Sequence, residues 1–342
     1  MEVTHIVRRL GRVGGMESYV WYLCRALALR GVRINLVCED LIEPVEGIPD
    51  SRVLQVAAPS SQRPRWKAMR HFQRQVNDAL DQSEFRGIIH SHERTLAHDV
   101  TTIHGPLMGH PSRLGFMARL NRRVAEWSLM ELQEVCGPTV RAVFSVSEQS
   151  QRLLRDMYPD ASLYSQIMWP GVDSVHVESP ETAVDKTKVI FVGREWKRKG
   201  LSEALDIMRG LQLAKPHLEF HCYGVSTSEL PKPLRTTRGV TFHGFTNPDY
   251  SSCCLLIHPA QDEPFGMVVS EARAFGIPCL VSDRVGAAGL GFRDVAIVSL
   301  EQPVEEWIRA GLRLIDSSQC IPEVLWSWDD LAVAHIKAYM DL

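Results

Sequence analysis

No apolar run in this 342-residue chain approaches the roughly 20 residues that carry a helix across a bilayer. Its first residues, MEVTHIVRRLGRVGG, place an acid and arginines where a signal peptide would need an apolar core. Together these absences predict a cytoplasmic protein. The eight cysteines include no CxxC pair and fall mostly in apolar runs, which predicts reduced structural thiols rather than a disulfide framework or a zinc site. There is no short-period repeat and no low-complexity tract. Nor is there an excess of positive charge: a net charge of −3 argues against a general nucleic-acid binder. The charge is uneven, about +3 over residues 1–170 and about −6 over the remainder. The positive charge of the first half is almost all arginine, so that half is suited to face something anionic.

What is present is an alternation of strand, loop and helix. VTHIV leads through LGRVGGM into a helical run, ESYVWYLCRALALRG, closed by Gly31; RINLVCE, GIIHSH, DVTTIHG and AVFSVSE read as further strands. The series ends around WPGVD (169–173), and SVHVESPETAVDK reads as a connector. It restarts with KVIFVG, a helix in GLSEALDIMRGLQL, and the strands LEFHCYG, VTFHGF and CLLIHPA. Such alternation implies right-handed βαβ units on parallel sheets, and the length suits two domains. The last stretch, VLWSWDDLAVAHIKAYM, reads as a helix that caps one domain or braces both.

The stretch QDEPFGMVVSEARAFGIPCLVS (261–282) predicts a helix with Asp262 and Glu263 at its N-terminus, where the dipole favours acid, and Pro264 at its first position. Gly276 and Pro278 end it. Val268, Glu271, Ala272 and Phe275 share one stripe, so Glu271 lies beside apolar residues and needs a partner, because an unpaired buried charge is costly. The Glu263–Glu271 spacing would occur about once by chance in such a chain; its setting on a strand–loop–helix junction gives it weight. Three further features point the same way. Gly14-Gly15 follows a strand and precedes a helix, where free amides cradle phosphate or merely close a turn. Arg194 and Lys199 in VGREWKRKG follow a strand, where ligands of α/β sheets bind and where surface cations are also common. His104 ends a strand in TTIHG, although a lone histidine is more often structural. The loop VGAAGL (285–290) is either a second phosphate-facing turn or a connector.

Together GG (14–15), IHG (103–105), GVD (171–173), VGR…KG (192–200) and E-PFGMVVS-E (263–271) resemble the retaining glycosyltransferases of family four, and most nearly those that build lipopolysaccharide cores. The resemblance runs along nearly the whole chain, more weakly before residue 170. It implies the GT-B fold: two Rossmann-like βαβ domains facing each other across a cleft, with the C-terminal helix crossing back to the first. The implied boundaries are 1–170 for an acceptor-binding domain, 171–322 for a donor-binding domain and 323–342 for the helix. By position, Arg194 and Lys199 would bind the donor diphosphate, and Glu263 would bind sugar hydroxyls near the reacting carbon. Glu271 would hold the ribose, and the amides of Phe265, Gly266, Met267 and Val268 would face the ligand. Gly14 and Gly15 would contact phosphate from the other domain, with His104 near the donor sugar; these four, Arg194, Lys199, Glu263 and His104, are the expected catalytic groups where they touch the reaction. No metal or other cofactor is expected, since cations serve the leaving diphosphate and no Asp-x-Asp occurs. Two departures stand out: Pro170 precedes GVD where the family usually has Asn, and Cys222-Tyr223-Gly224 is less glycine-rich than usual.

The run from Arg63 to Arg74, with Arg65, Lys67 and Arg70 between, interleaves Trp66, Met69 and Phe72 and has no acid nearby; RLGFMARLNRR (113–123) is similar. Such segments lie on anionic membranes, recognise a phosphorylated acceptor, or are simply solvated, partly packed helices. The expected activity is transfer of a hexose from a nucleotide-diphospho-sugar to a glycan or lipid-linked acceptor of the bacterial cell envelope, with peripheral contact to the inner membrane. The rivals are a sugar-nucleotide epimerase or a phosphorylase, for which no pyridoxal-binding lysine is identifiable, and a non-catalytic sugar-nucleotide-binding scaffold.

Overall fold

In the computed structural model the described residues are 1–109, 121–173, 186–237, 239–317 and 321–342. The 174–185 part of the connector and residues 113–120 of the second basic stretch therefore lie outside them. The chain divides into two compact units: Met1–Gly171 with Trp326–Leu342, and Val172–Leu325.

The first unit is built on a parallel sheet of β1 (Glu2–Ile6), β2 (Arg33–Cys38), β3 (Arg52–Gln55), β4 (Ile88–Ser91), β5 (Val100–Ile103), β6 (Ala142–Ser145) and β7 (Ser165–Ile167), in the order β3-β2-β1-β4-β5-β6-β7. Its central strands are short and mostly buried, polar residues such as Thr4, His5, Thr101 and Thr102 included, because helices cover the sheet's faces. The main helices are α1 (Gly15–Leu29), α2 (Arg65–Gln82), α3 (Arg122–Cys136) and α4 (Glu148–Met157). One core joins Ile6 and Val37 of the sheet to Met69, Phe72 and Val76 of α2 and Met130 of α3. Strands β3 and β7 were not anticipated: each is brief and half-exposed, so neither shows an apolar run or clean alternation.

The second unit repeats the plan with β8 (Lys188–Val192), β9 (Glu219–Tyr223), β10 (Val240–Gly244), β11 (Cys253–His258), β12 (Cys279–Ser282) and β13 (Val295–Val298) in the order β10-β9-β8-β11-β12-β13. Its helices include α5 (Leu201–Ala214), α6 (Met267–Ala274) and α7 (Val304–Ser317). All six residues of β11 are buried, and α5 and α7 bury Leu205, Met208, Trp307 and Leu314 in one core with it.

The last helix, α8 (Trp328–Met340), belongs to the first unit. It starts four residues later than the apolar pattern suggests, because Ser327 and Asp330 form a reciprocal capping box. Trp328 stacks on Tyr22 at 4.9 Å, and Arg30, the C-cap of α1, pairs with Asp329 at 2.7 Å.

The basic run on α2 is a partly packed helix and departs from a membrane-lying one in two ways. Met69 and Phe72 are buried core residues, unavailable to a membrane. An acid is nearby after all: Arg70 is held by Glu126 at 3.3 Å and by Gln133 at 3.0 Å. Arg63, Arg65, Lys67 and Arg74 remain exposed.

Candidate functional site

The second unit gathers most of the expected residues at the C-terminal ends of β8 and β11, the edge where open parallel sheets bind ligands. The loop from Gly193 to Gly200 leaves β8 and enters α5. It is tied to the end of β11 by a hydrogen bond from Gln261 N to Arg198 O, 2.8 Å. Gly200 has φ +79°, a left-handed conformation costly for any residue with a Cβ, and a Cβ here would lie 2.1 Å from the Pro259 carbonyl oxygen.

This close approach places Lys199 against Glu263. The ammonium donates to Glu263 Oε2, and Arg198 donates to the same oxygen at 3.4 Å and to the Asp262 carbonyl. His258 Nε2 stands 3.7 Å away, and neither of its buried ring nitrogens has a hydrogen-bond partner among the described residues. Burial alone would raise the Glu263 pKa, but His258, Lys199 and Arg198 more than offset it and hold the carboxyl far below the usual range. For Lys199 the balance tips the other way: burial pulls its pKa down in spite of Glu263.

The helix at this mouth differs from expectation. Pro264 is not its first residue; α6 begins at Met267, with Gly266 as N-cap at φ +93°. The bend is enforced from outside, since Glu263 and Phe265 accept backbone bonds from Gly286 (3.0 Å) and Ala287 (2.7 Å). Asp262 and Glu263 are thereby held ahead of the helix; Val269 N donates to the Gly266 carbonyl at 2.9 Å, while the amides of Met267 and Val268 have no backbone acceptor among the described residues. VGAAGL is thus the short helix (Gly286–Leu290) that anchors this turn. The buried face of α6 is Val269, Ser270, Ala272 and Arg273, while Val268, Glu271 and Phe275 share a part-exposed stripe. Glu271 accepts a hydrogen bond from the Tyr250 hydroxyl at 3.1 Å, and burial raises its pKa.

Arg194 stands apart from Lys199. It is exposed, forms no ion pair among the described residues, and lies over the Phe245 ring at 5.3 Å. Of the two expected diphosphate ligands, one is neutralised by Glu263 and one is available.

In the first unit Gly14 caps the N-terminus of α1 and Gly15 is its first residue. Glu17, buried in the first turn, folds its carboxylate back against Gly14 and pairs with Arg9, so an internal anion already lies at this turn. His104 follows the end of β5 and is part-exposed, with Nε2 3.0 Å from His92 Nδ1. Arg198, His258 and Tyr250 were missed in the sequence; Arg198 and His258 sit inside quoted motifs, whereas no local pattern marks Tyr250, 21 residues before the carboxylate it binds.

Sequence comparison decides the family. The profile of Glycosyltransferase Family 4 matches residues 13–175, and that of Glycosyl transferases group 1 matches residues 175–294. The chain belongs to the family-four glycosyltransferases. Its fold is GT-B, as in solved structures of low identity. WaaG, a glycosyltransferase involved in lipopolysaccharide biosynthesis, superposes with a TM-score of 0.77 at 15% identity, covering 98% of this chain and 95% of that one. HepE from Anabaena, solved in complex with UDP and glucose, gives 0.67 at 15% identity, covering 99% and 97%. The glycogen synthase of Mycobacterium tuberculosis is 23% identical over 235 residues, 61% of this glycosyltransferase. The chain spans about half the length of that relative (55%). Among the described residues of the glycosyltransferase, no helix is long and apolar enough to cross a membrane.

Proposed function

We propose that this glycosyltransferase moves a hexose from a nucleotide-diphospho-sugar to a glycan or lipid-linked acceptor of the cell envelope, with retention of configuration and without a metal. The observation that carries the reading is the junction at residues 193–200 and 258–271. It sets an unpaired Arg194, a cation-braced Glu263 and free α6 amides at the ligand-binding edge of one sheet. Glycosyl transfer leaves a nucleoside diphosphate and passes through an oxocarbenium-like state. Arg194 and the amides of Met267 and Val268 stabilise the leaving charge. Lys199 does so as well, while bracing Glu263 to accept from sugar hydroxyls. Glu271, held by Tyr250, accepts from the ribose.

Both carboxylates are already engaged, Glu263 by Lys199 and Arg198 and Glu271 by Tyr250. This supports attack on the same face as the departing diphosphate, whose oxygen takes the acceptor proton, over a covalent carboxylate intermediate. Gly14, Gly15 and His104 are the first unit's proposed contribution to ligand binding, and that unit takes the acceptor. WaaG, involved in lipopolysaccharide biosynthesis, and HepE, bound to UDP and glucose, support the envelope acceptor and the nucleotide donor.

The test is turnover of UDP-, GDP- and ADP-hexoses with lipid-linked and glycan acceptors in excess EDTA. Nucleoside diphosphate release should be unchanged by EDTA, and the product's anomeric configuration should match the donor's. An EDTA-sensitive rate or an inverted product would overturn the corresponding part of the reading, and donor interconversion without acceptor would favour an epimerase.

Arg63, Arg65, Lys67 and Arg74 are proposed to draw the first unit to an anionic membrane surface, each basic group there contributing about 1 kcal/mol. Replacing Arg65 and Lys67 with glutamate should lower binding to phosphatidylglycerol vesicles by at least tenfold, the loss of two such contacts. Sedimentation equal to wild type would remove the membrane from the account.

A further inference from the structure

Five histidines meet in the first unit: His5 on β1, His90 on β4, His92 and His104 in the loops beyond β4 and β5, and His335 on α8. Three of them form a file. His5 Nδ1 lies 3.0 Å from His92 Nε2, and His92 Nδ1 lies 3.0 Å from His104 Nε2. The file runs from the part-exposed His104 to the fully buried His5, whose Nε2 has no partner among the described residues. Desolvation holds His5 and His104 at a pKa of about 3 and His92 well below its ordinary value, so all three rings are neutral at pH 7.

A neutral imidazole has one N–H and one acceptor nitrogen, and the bond made by one nitrogen decides the state of the other. Because each link joins a Nδ1 to a Nε2, the three rings must share one tautomer. If every proton is on Nε2, the file ends in a His5 N–H buried without an acceptor. If every proton is on Nδ1, His5 donates to His92, His92 donates to His104, and only a bare lone pair is left inside. Orphaned buried N–H groups are rare, which selects the second order. Tyr19 packs edge-on against the His104 ring at 4.7 Å, holding its plane. The remaining His104 nitrogen, Nδ1, has no partner among the described residues.

We infer that His5 and His92 are positioning residues that act through this file to keep the His104 proton on Nδ1, making the part-exposed histidine a neutral hydrogen-bond donor toward its ligand. The consequence for ligand rests on the proposed sugar-nucleotide reading; the tautomer order does not. A metal among His5, His90 and His92 is the competing use of these rings, since their nitrogens lie within 4.8 Å of one another. The geometry opposes it. His90 already spans Thr102 Oγ1 at 2.7 Å and Tyr339 Oη at 2.5 Å, both His92 nitrogens are engaged, and the His5 and His92 planes stack within 16° instead of converging on a point.

The experiment uses the full chain labelled with 15N-histidine. Long-range 1H–15N correlation at pH 7 separates Nδ1–H, Nε2–H and cationic rings, and the metal content of the same sample is measured by mass spectrometry. The expected result is the Nδ1–H form for His5, His92 and His104 with no stoichiometric metal. An Nε2–H or cationic ring at any of the three, or one equivalent of zinc, overturns the inference. In variants, His5→Asp, whose carboxylate only accepts, should draw the His92 proton to Nε2 and turn His104 to its Nε2–H form, lowering kcat about tenfold with KM within twofold, the effect of one hydrogen bond. His5→Asn, whose amide can donate to His92, should restore both; equal loss in the two variants with an unchanged His104 signal marks a merely structural role and overturns it. Should His5→Asp not fold, the wild-type spectrum decides. Ordered tautomers without turnover of any sugar nucleotide would leave the file and remove the transferase reading, and turnover with mixed tautomers would do the reverse.

Discussion

Replacing Glu263 with alanine is expected to cost about 3–5 kcal/mol of stability and to abolish transfer. That range is typical of removing one partner of a buried ion pair, because the other charge is left without compensation. Here Lys199 would be left in a desolvated position, with its pKa already lowered by burial, and Arg198 would lose one acceptor. Loss of the lysine proton limits the cost, which places the expectation toward the lower end. Glu263→Gln keeps an acceptor and should cost less stability while still failing in turnover. The pH dependence has a definite sign. The folded Glu263 pKa lies below its model-compound value of 4.5, so its stabilisation is fully present above about pH 4.5 and is lost as pH falls toward the folded pKa, at up to roughly 1.4 kcal/mol per pH unit. Urea denaturation of wild type and Glu263→Gln should therefore show a gap that is constant above pH 5 and narrows in more acid solution. A gap that widens with acid would mean that the pair does not hold the carboxylate ionised.

Gly200→Ala is expected to destabilise by about 3 kcal/mol or more. Two terms add: a left-handed backbone costs a residue with a Cβ about 1–2 kcal/mol, and overpacking typically costs about 1–3 kcal/mol. The second term should sit high in its range, because the added carbon would meet the Pro259 carbonyl oxygen at 2.1 Å and its carbon at 2.9 Å. Backbone cannot swing aside as a flexible side chain can. The relief available is to part the 193–200 loop from the end of β11, which would pull Lys199 off Glu263. Stability and nucleotide binding should consequently fall together. Thermal unfolding with the midpoint displaced by less than the equivalent of 1 kcal/mol would show that this close approach is not a constraint.

Much of the fold was legible because burial on both faces makes parallel strands read as apolar blocks. RINLVC and CCLLIH announce themselves in this way, and Gly31 and Gly276 mark helix ends where φ is positive. The edge of this legibility is physical. Strands β3 and β7 are short and partly solvated, so their residues carry no pattern. The start of α6 was misplaced because Pro264 suits a helix start locally, while Gly286 and Ala287, more than 20 residues away, bend the chain until Gly266.

The site was legible as a set of residue types on a strand–loop–helix junction, but its pairings were not. Lys199 and Glu263 are 64 residues apart and meet only because β8 and β11 are neighbours in the sheet. In the basic α2 run the local pattern admits more than one reading. Its Met69 and Phe72 looked like a membrane-facing stripe, yet they face the core, because one helix period serves both purposes. The histidine file joins residues 5, 92 and 104, and nothing in the local sequence around any one of them reports the other two.

The central claim is that Arg194 and the mouth of α6 hold a nucleoside diphosphate. It is tested most directly by calorimetric titration of UDP, GDP and ADP, in excess chelator, into wild type and Arg194→Ala. The account predicts that one nucleotide binds saturably and that the substitution weakens it about 10- to 150-fold, the range for losing one hydrogen bond to a charged group. Binding unchanged in Arg194→Ala, or no binding of any nucleotide to the wild type, would contradict it.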